Sequence, residues 1–600
     1  MNRLRQLVAI MRPFKWRFVT ALVLTGLLTL IGMAGPLLMA RLLNDVAAQG
    51  KWGMFPLIMA GIFAVPLVWL FVNIFNSLTL SKVGLGIIAG IRRDMFRHIM
   101  DMSAKFFNDM PVGNITQRLM GDAAVVSGVA TGSLITMITD VIVVVFSVSV
   151  MLKMSWELSA LTFVLFPLYY LNYRYFSRRM ERVNVVLRGQ MDHISSTLQE
   201  RLSARELVQA FGRGKAEAAN FSSQAREIMS ASIRGNAYSI AFNQLAGLVN
   251  KLAGTLVYCV GCYYFVKGSM GYGDVIAFCS YSAQLLGPVI RFTSIANQFV
   301  QAGVSIDRIN EIMGREPDIK DSPDAVHIES LNGDIALNGV TYAYEDGKPV
   351  VRDLRLSVKA GMHLAVVGPH SSGRSTLLSL LRRFVDPNTG AIAVDDRDIR
   401  GYRLKDYRIA LSSTRSSPTI FDGTIRENVC YSRPDAPPDR MVSVCQAMGL
   451  HEFVMSLKDK YETRLGTGGL RLSAGDRQRI GIARSILSDP LVLIVDDATL
   501  SLDAESAEIV HAAIREAMKG RTYIFIASRL LLARNSDEVA VMSDGRVVEQ
   551  GRHEDLLSRA GSTYREMYGK QYGEHSLPPP KDATSRSGQT AAQPQPEERR

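Results

Sequence analysis

Residues 18–40 (FVTALVLTGLLTLIGMAGPLLMA) and 53–81 (GMFPLIMAGIFAVPLVWLFVNIFNSLTLS) contain no charged side chain. A helix needs about 20 mostly apolar residues to cross a bilayer, and both stretches are long enough. Four further candidates follow at about 131–152, 155–173, 238–266 and 273–302, broken by Asp140, Lys153, Lys251, Asp274 and Arg291. No comparable stretch occurs after Arg315. The expected fold is therefore an all-α six-helix transmembrane domain over 1–315, followed by a soluble domain. At 600 residues the chain is too long for one folding unit.

The start, MNRLRQLVAIMRPFKWRF, spreads its basic residues through an amphipathic stretch. It reads as an interfacial helix leading into the first span and not as a signal peptide. The links at 41–52, 153–157 and 267–272 are short and carry few basic residues, whereas those at 82–122 and 174–235 are long and rich in Arg and Lys. Positive-inside logic puts both termini and the soluble domain in the cytoplasm. The net charge of +12 fits span ends meeting anionic membrane lipid, and no aromatic-interleaved basic patch argues for a nucleic-acid partner. Cys259 and Cys262 fall inside a predicted span, where small apolar packing is the expected role. The end, 574–600, is rich in Pro, Gln and charge and is expected to be disordered.

The soluble half carries nucleotide motifs. LAVVG (364–368) reads as a buried strand, and GPHSSGRST (368–376) turns from it into a helix. Backbone N–H groups of such a loop and the positive helix end cradle phosphates. Gly368, Gly373 and Ser375 stand where a G-x-x-x-x-G-K-[ST] loop requires them, with Ser371, Ser372, Arg374 and Thr376 beside them. Ser375 would place its hydroxyl on Mg²⁺. LVLIVDD (491–497) reads as an apolar strand ending in two acids, with Asp496 suited to hold Mg²⁺ and Asp497 to polarise water.

Between and beyond these lie RLSAGDRQRIGIARSIL (471–487), DDATLSLD (496–503), FIASRL (525–530) and VAVMSDGRVVEQGRHEDLL (539–557). In this order the chain resembles an ABC transporter half of the exporter type, from the first span to about residue 570. FFNDMPVGNITQRLMGD (106–122) and ELVQAFGRGKAEAANF (206–221) resemble the family's two coupling segments. The resemblance implies an α/β P-loop NTPase domain of ABC type over 330–570 and an integral protein of a bacterial inner (cell) membrane. It also implies ATP with Mg²⁺ held between the loop of one half and the signature segment of another. Tyr344 matches the aromatic residue that stacks on adenine, and Ser473, Ala474, Gly475 and Asp476 occupy the signature. Asp503 survives in its motif.

The motifs depart from the family at five stations. Arg374 replaces a lysine, and Ser371 replaces a glycine in the same loop. Asp497 replaces a glutamate, and Ser528 replaces the switch histidine. No glutamine occurs in IALSSTRSSPTIFDGT (409–424), where the matching position is Thr414 or Ser416. The signature ends in Asp476 instead of glutamine. Aspartate is one methylene shorter than glutamate, and a misplacement of about 1 Å can cost on the order of 100-fold in rate. Serine cannot carry positive charge at neutral pH. The expectation is an exporter half that binds ATP, hydrolyses it weakly or not at all, and pairs with a second half-transporter, a heterodimer being favoured over a homodimer. The alternative is a non-hydrolysing regulatory or structural membrane subunit. Asp140 and Lys251 are candidates to face a polar group of an exported substrate whose identity stays open.

Overall fold

The structure is a computed structural model that describes residues 10–578 except 165, 329–330, 345–346, 467–468 and 498–501. Two compact units are present, one of residues 1–100 and 111–315, the other of 101–110 and 316–600.

The first unit is helical. Without water, backbone polar groups must be satisfied inside the segment that carries them, and long apolar runs therefore form helices. In chain order these are α1 (Lys15–Arg41) and α2 (Phe55–Met100), with α3 (Ala104–Asp109) belonging to the other unit. There follow α4 (Val112–Met154), with widened turns at Arg118–Asp122 and Val129–Ser133, and α5 (Trp156–Val164). Next come α6 (Phe166–Ser203), α7 (Arg205–Ala210), α8 (Gly214–Val266), α9 (Tyr272–Gln284) and α10 (Leu286–Met313).

Among the described residues, four helices are long and apolar enough to cross a membrane: Arg12–Ala48, Trp52–Met100, Val112–Met154 and Gly214–Val266. The other two candidate spans lie on α5–α6 and α9–α10. In α6 the arginine-rich run begins at Arg174, soon after the apolar start, and α10 carries Arg291, Asp307 and Arg308. Residues 1–9 of the expected interfacial helix lie outside the described residues, and the rest of it, from Ile10, is helical and runs into α1.

The helices turn large apolar side chains outward, Phe71 being 70% exposed, as hydrocarbon surroundings permit. Their own core gathers Met33, Met151, Leu158, Val257, Phe278 and Tyr281. There the Tyr281 hydroxyl donates to the Met33 carbonyl at 2.6 Å, which satisfies the one polar atom of an otherwise apolar ring.

The second unit is α/β. A four-stranded antiparallel sheet has the order β2-β1-β4-β5, formed by β1 (Ile335–Ala343), β2 (Pro349–Val358), β4 (Thr389–Val394) and β5 (Arg397–Asp398). A six-stranded sheet has the order β12-β11-β3-β10-β9-β6. Its members are β3 (His363–Val367), β6 (Leu411–Thr414), β9 (Val492–Asp496), β10 (Thr522–Ile526), β11 (Glu538–Ser543) and β12 (Arg546–Gly551); β7 (Gly423–Thr424) and β8 (Arg464–Leu465) pair with each other in a small antiparallel sheet.

Parallel strands covered on both faces read as continuous apolar runs, and their side chains alternate between two cores. Ala365, Val367, Leu493, Val495, Tyr523 and Phe525 enter one core. Leu364, Val366, Val492, Ile494, Ile524 and Ile526 enter the other. Residues Asp101–Met110 group with this unit, and the Ser103 hydroxyl donates to Asp318.

The first residues of the stretch expected to be disordered from 574 are held in place. Glu574–Ser576 forms a helical turn, and the Pro578 carbonyl accepts from Arg565 at 2.8 Å. Leu577 packs against the core, which anchors a stretch whose composition is polar. Residues 579–600 lie outside the described residues.

Candidate functional site

Ile526 of β10 is in register with both Val366 of β3 and Asp496 of β9. The chain therefore leaves all three strands at one sheet edge, the carboxyl edge where α/β folds build their sites. From β3 it enters the loop 368–373 and then α11 (Arg374–Leu381). A Cβ at Gly368 would run into the Met542 carbonyl, and Gly373 has φ +96°. Ser371 has φ +65°, a left-handed conformation that suits glycine. Serine here thus strains the loop backbone as well as adding bulk. The Ser372 hydroxyl is buried with no partner. Ser375 is exposed at the helix start. Tyr344 and Thr376 are joined by their hydroxyls at 3.3 Å, and Tyr342 meets the Tyr344 ring edge-on at 5.1 Å.

Asp496 ends β9. Asp497 is 8% exposed and adopts φ +46°. Its Oδ2 accepts a hydrogen bond from the Ser528 hydroxyl. Burial pushes the Asp497 carboxyl pKa up, against the Ser528 bond and the Arg374 charge. Burial pulls the half-buried Arg374 guanidinium down, opposed first by Asp497 and then by Asp496. The two positions expected to be degenerate, Asp497 and Ser528, are thus bonded to each other, with the Arg374 charge acting on Asp497.

Thr414 ends β6 in register with Val495 of β9, and its buried Oγ1 has no partner. Ser416 is exposed beyond the strand. Of the two positions open for the missing glutamine, Thr414 is the one at the sheet edge. Its carbonyl accepts from Arg382 Nη2 at 3.2 Å.

Sequence reasoning passed over four residues here. Arg382 is 7% exposed just past α11, and its Nε has no partner. Gln478, fully buried, donates to the Arg415 carbonyl at 3.0 Å. Gln571 donates to the Ser528 carbonyl at 3.1 Å and accepts from the Leu530 amide at 3.2 Å. Arg529 Nη2 donates to the Leu502 carbonyl at 2.8 Å. The pair Arg382–Arg383, closing an apolar helix, was the available signal for the first.

The signature residues are held separately. Ser473 caps α12 (Ala474–Leu487), accepting from the Asp476 amide at 3.0 Å. It donates to Asp476 Oδ2 at 2.6 Å, and Asp476 lies 3.8 Å from Arg479. Ala474 and Gly475 form the first turn of that helix. The partners of Ser473 and Asp476 are on their own helix, so the serine proton is committed to the Asp476 carboxylate. Asp503 likewise caps α13 (Ala504–Ala517), accepting from the Ser506 amide at 2.8 Å and hydroxyl at 2.9 Å. These bonds hold its carboxyl below the usual range. Residues 498–501 lie outside the described residues.

In the helical unit, a cavity of about 990 Å³ is lined by Asp140, Phe166, Tyr169, Tyr170, Tyr173 and Phe292, among others. Asp140 on α4 is buried and pairs with Arg291 on α10, which donates through Nε at 3.2 Å and through Nη2. Asp140 therefore faces the cavity as half of an ion pair. Lys251 is exposed on α8. Cys259 and Cys262 are free thiols.

Residues 18–289 match the ABC transporter transmembrane region, and 351–500 match the ABC transporter family. An ATP-dependent lipid A-core flippase from Syntrophus aciditrophicus (strain SB) is 30% identical over 580 residues, covering 96% of each chain. A candidate multidrug export ATP-binding/permease protein, YgaD of Bacillus subtilis (strain 168), is 29% identical over 95% of this chain and 99% of its own. A solved bacterial Atm1-family ABC exporter with ATP bound shares the fold at a TM-score of 0.78 and 24% identity. That likeness covers 93% of this chain and 99% of the other. With its helical membrane region, its P-loop at the carboxyl sheet edge and these relatives, the chain belongs to the ABC transporter family as an exporter half that fuses a transmembrane region to an ATP-binding domain.

Proposed function

We propose that this half spans the membrane six times, keeps both termini and the ATP-binding domain cytoplasmic, and moves an amphiphile of the lipid, lipophilic-drug or peptide class. Its own ATP site holds nucleotide and splits it weakly or not at all, and a partner half in a heterodimer supplies most turnover. Support for the substrate class comes from the aromatic cavity of about 990 Å³ with one ion pair at its wall, a size that suits a drug-sized or larger apolar ligand. The flippase and multidrug names of the relatives point the same way.

The observation that carries the nucleotide reading is the bond from Ser528 to Asp497. A residue that orients attacking water needs a carboxylate oxygen free to accept from it, and general-base assistance contributes about 10²–10⁴-fold. Here the carboxylate is one methylene short and buried, and one of its two oxygens already accepts from the residue that stands in the histidine's place. The loop amides at the start of α11, the Arg374 charge and the Tyr344 ring remain suited to phosphate and adenine. Ser375 and Asp496 offer the hydroxyl and carboxylate oxygens that Mg²⁺ takes as ligands. Mg²⁺, when bound, would neutralise phosphate charge.

Purified in lipid, the full chain should bind ATP with Mg²⁺ and turn it over barely above background. Robust ATPase by the isolated chain sinks the reading. Co-expression with a half that carries lysine, glutamate, glutamine and histidine at the matching positions should restore turnover.

A further inference from the structure

On α6, Arg174, Arg178 and Arg182 recur every four residues, which puts them on one side of the helix. With Leu171, Tyr175 and Arg179 they line a groove of about 620 Å³. Another flank of α6 is taken up by α8. There Asn172 donates to the Phe242 carbonyl at 3.2 Å, and the Phe176 ring meets Tyr238 and Phe242. Arg174, Arg178 and Arg182 are exposed and, among the described residues, form no hydrogen bond or ion pair. By contrast Arg118, Arg201 and Arg308 of the same unit reach Glu311, Glu217 and Asp122. Glu181, the one acid between Phe166 and Asp192, pairs with none of the groove arginines. Arg179 lies over the Tyr175 ring at 3.6 Å and donates to its carbonyl at 3.1 Å. Cations held together without counter-charges make the groove attractive to an anion. The same side of α6 is apolar one turn earlier, where Leu168 and Leu171 are 49% and 60% exposed. Tyr175 stands at the change, as aromatic residues do at a bilayer interface. A soluble anion would use only the guanidinium half of this face, whereas an anionic lipid uses both.

We infer that this face of α6 holds the phosphate headgroup of an anionic membrane phospholipid, with an acyl chain along Leu168 and Leu171. The inference rests on the reading of α5–α6 as a span. Guanidinium forks bind phosphate oxygens in pairs and keep their charge at any physiological pH. Basic pockets beside spans select anionic headgroups. None of the six groove residues lines the aromatic cavity, so the lipid site is separate from it.

The test is binding of a fluorescent phosphatidylglycerol to the full chain in neutral detergent, competed by unlabelled phosphatidylglycerol, phosphatidylcholine or inorganic phosphate. Phosphatidylglycerol should compete about tenfold or more better than phosphatidylcholine, and phosphate should not compete at the same concentrations. Arg174→Gln, Arg178→Gln and Arg182→Gln together should abolish that preference. Arg205→Gln, Arg213→Gln and Arg226→Gln, which remove as many exposed charges elsewhere in the helical unit, should keep it within about threefold. Thermal midpoints show that each variant is folded. Should the triple groove variant not fold, Arg178→Gln alone should lose about threefold. No preference in wild type, a preference that survives in the groove variants, or an equal loss in the control overturns the proposal. Competition by phosphate as effective as by phosphatidylglycerol overturns a lipid as the occupant. In liposomes, Leu168→Cys in a chain stripped of its five native cysteines should be shielded from a charged thiol reagent. Labelling of that cysteine overturns the span reading beneath the proposal. Shielding without a lipid preference overturns the headgroup site alone, and so the two failures are distinguishable.

Discussion

The Ser528 hydroxyl donates to Asp497 Oδ2, and this bond joins the residue after β9 to the residue two beyond β10. Two candidate positions that look independent along the chain are one contact at the sheet edge. The switch segment is further clasped by Gln571 on α14 (Thr563–Tyr572), which bonds the Ser528 carbonyl and the Leu530 amide.

Because the two positions act as a unit, replacing them singly and together should differ. Ser528→Ala removes the donor from a buried carboxylate and should destabilise by about 1–3 kcal/mol with no gain in ATPase. Asp497→Glu with Ser528→His should raise turnover at least about tenfold, with the remaining departures at Arg374 and Asp476 limiting it further. Thermal melts and phosphate release on the two variants check this. Full turnover from Ser528→Ala alone, or none gained by the double variant, contradicts it.

His511 is 4% exposed, with its Nε2 at 3.3 Å from the Tyr523 hydroxyl, its Nδ1 unpartnered and Phe525 edge-on at 4.3 Å. Burial lowers its pKa from 6.5 to about 4, with the Arg515 and His363 charges acting in the same direction. The unfolded chain then binds a proton that the folded chain refuses between these values. The stabilisation is full above pH 6.5 and lost as pH falls toward about 4, on the order of 3 kcal/mol at the limit. Thermal midpoints of the full chain should drop between pH 7 and pH 5, and His511→Leu should flatten that drop. An unaltered pH profile in the variant rules His511 out as its source.

The Asp140–Arg291 pair on α4 and α10 should behave asymmetrically. Arg291→Met leaves a buried carboxylate without a counter-ion and should cost up to about 3 kcal/mol. That is below the range for fully buried pairs, because the Arg291 side chain is half-exposed. Asp140→Asn frees an exposed cation and should cost less. The exchange Asp140→Arg with Arg291→Asp should recover part of the loss, read as thermal stability in detergent. A stable Arg291→Met protein, or an exchange no better than Arg291→Met, argues against the pair as a structural link.

Much of the architecture was legible because its causes are contiguous. A charge-free run long enough to cross a bilayer has little choice but to be helical, and a strand entering a glycine-spaced loop carries its own phosphate chemistry. The weaker spans were harder to read, since on α6 and α10 the apolar stretch is cut by Arg174 and Arg291. Composition also misjudged residues 574–578, whose order comes from Arg565 and from the core that Leu577 meets.

By itself the sequence determined the helical membrane region, the α/β unit and the glycine-spaced loop that leaves β3, because each is written in neighbouring residues. Only the tertiary structure decided which candidate site residues meet. It put Ser371 in a left-handed backbone, bonded Ser528 to Asp497 and chose Thr414 over Ser416 at the sheet edge. It brought Arg382 and Gln478 to the same edge, and turned Asp476 back onto Ser473. Strands β3 and β10, far apart along the chain, end side by side with β9, so the chemistry at their ends depends on register across the sheet, a quantity that no local spacing encodes.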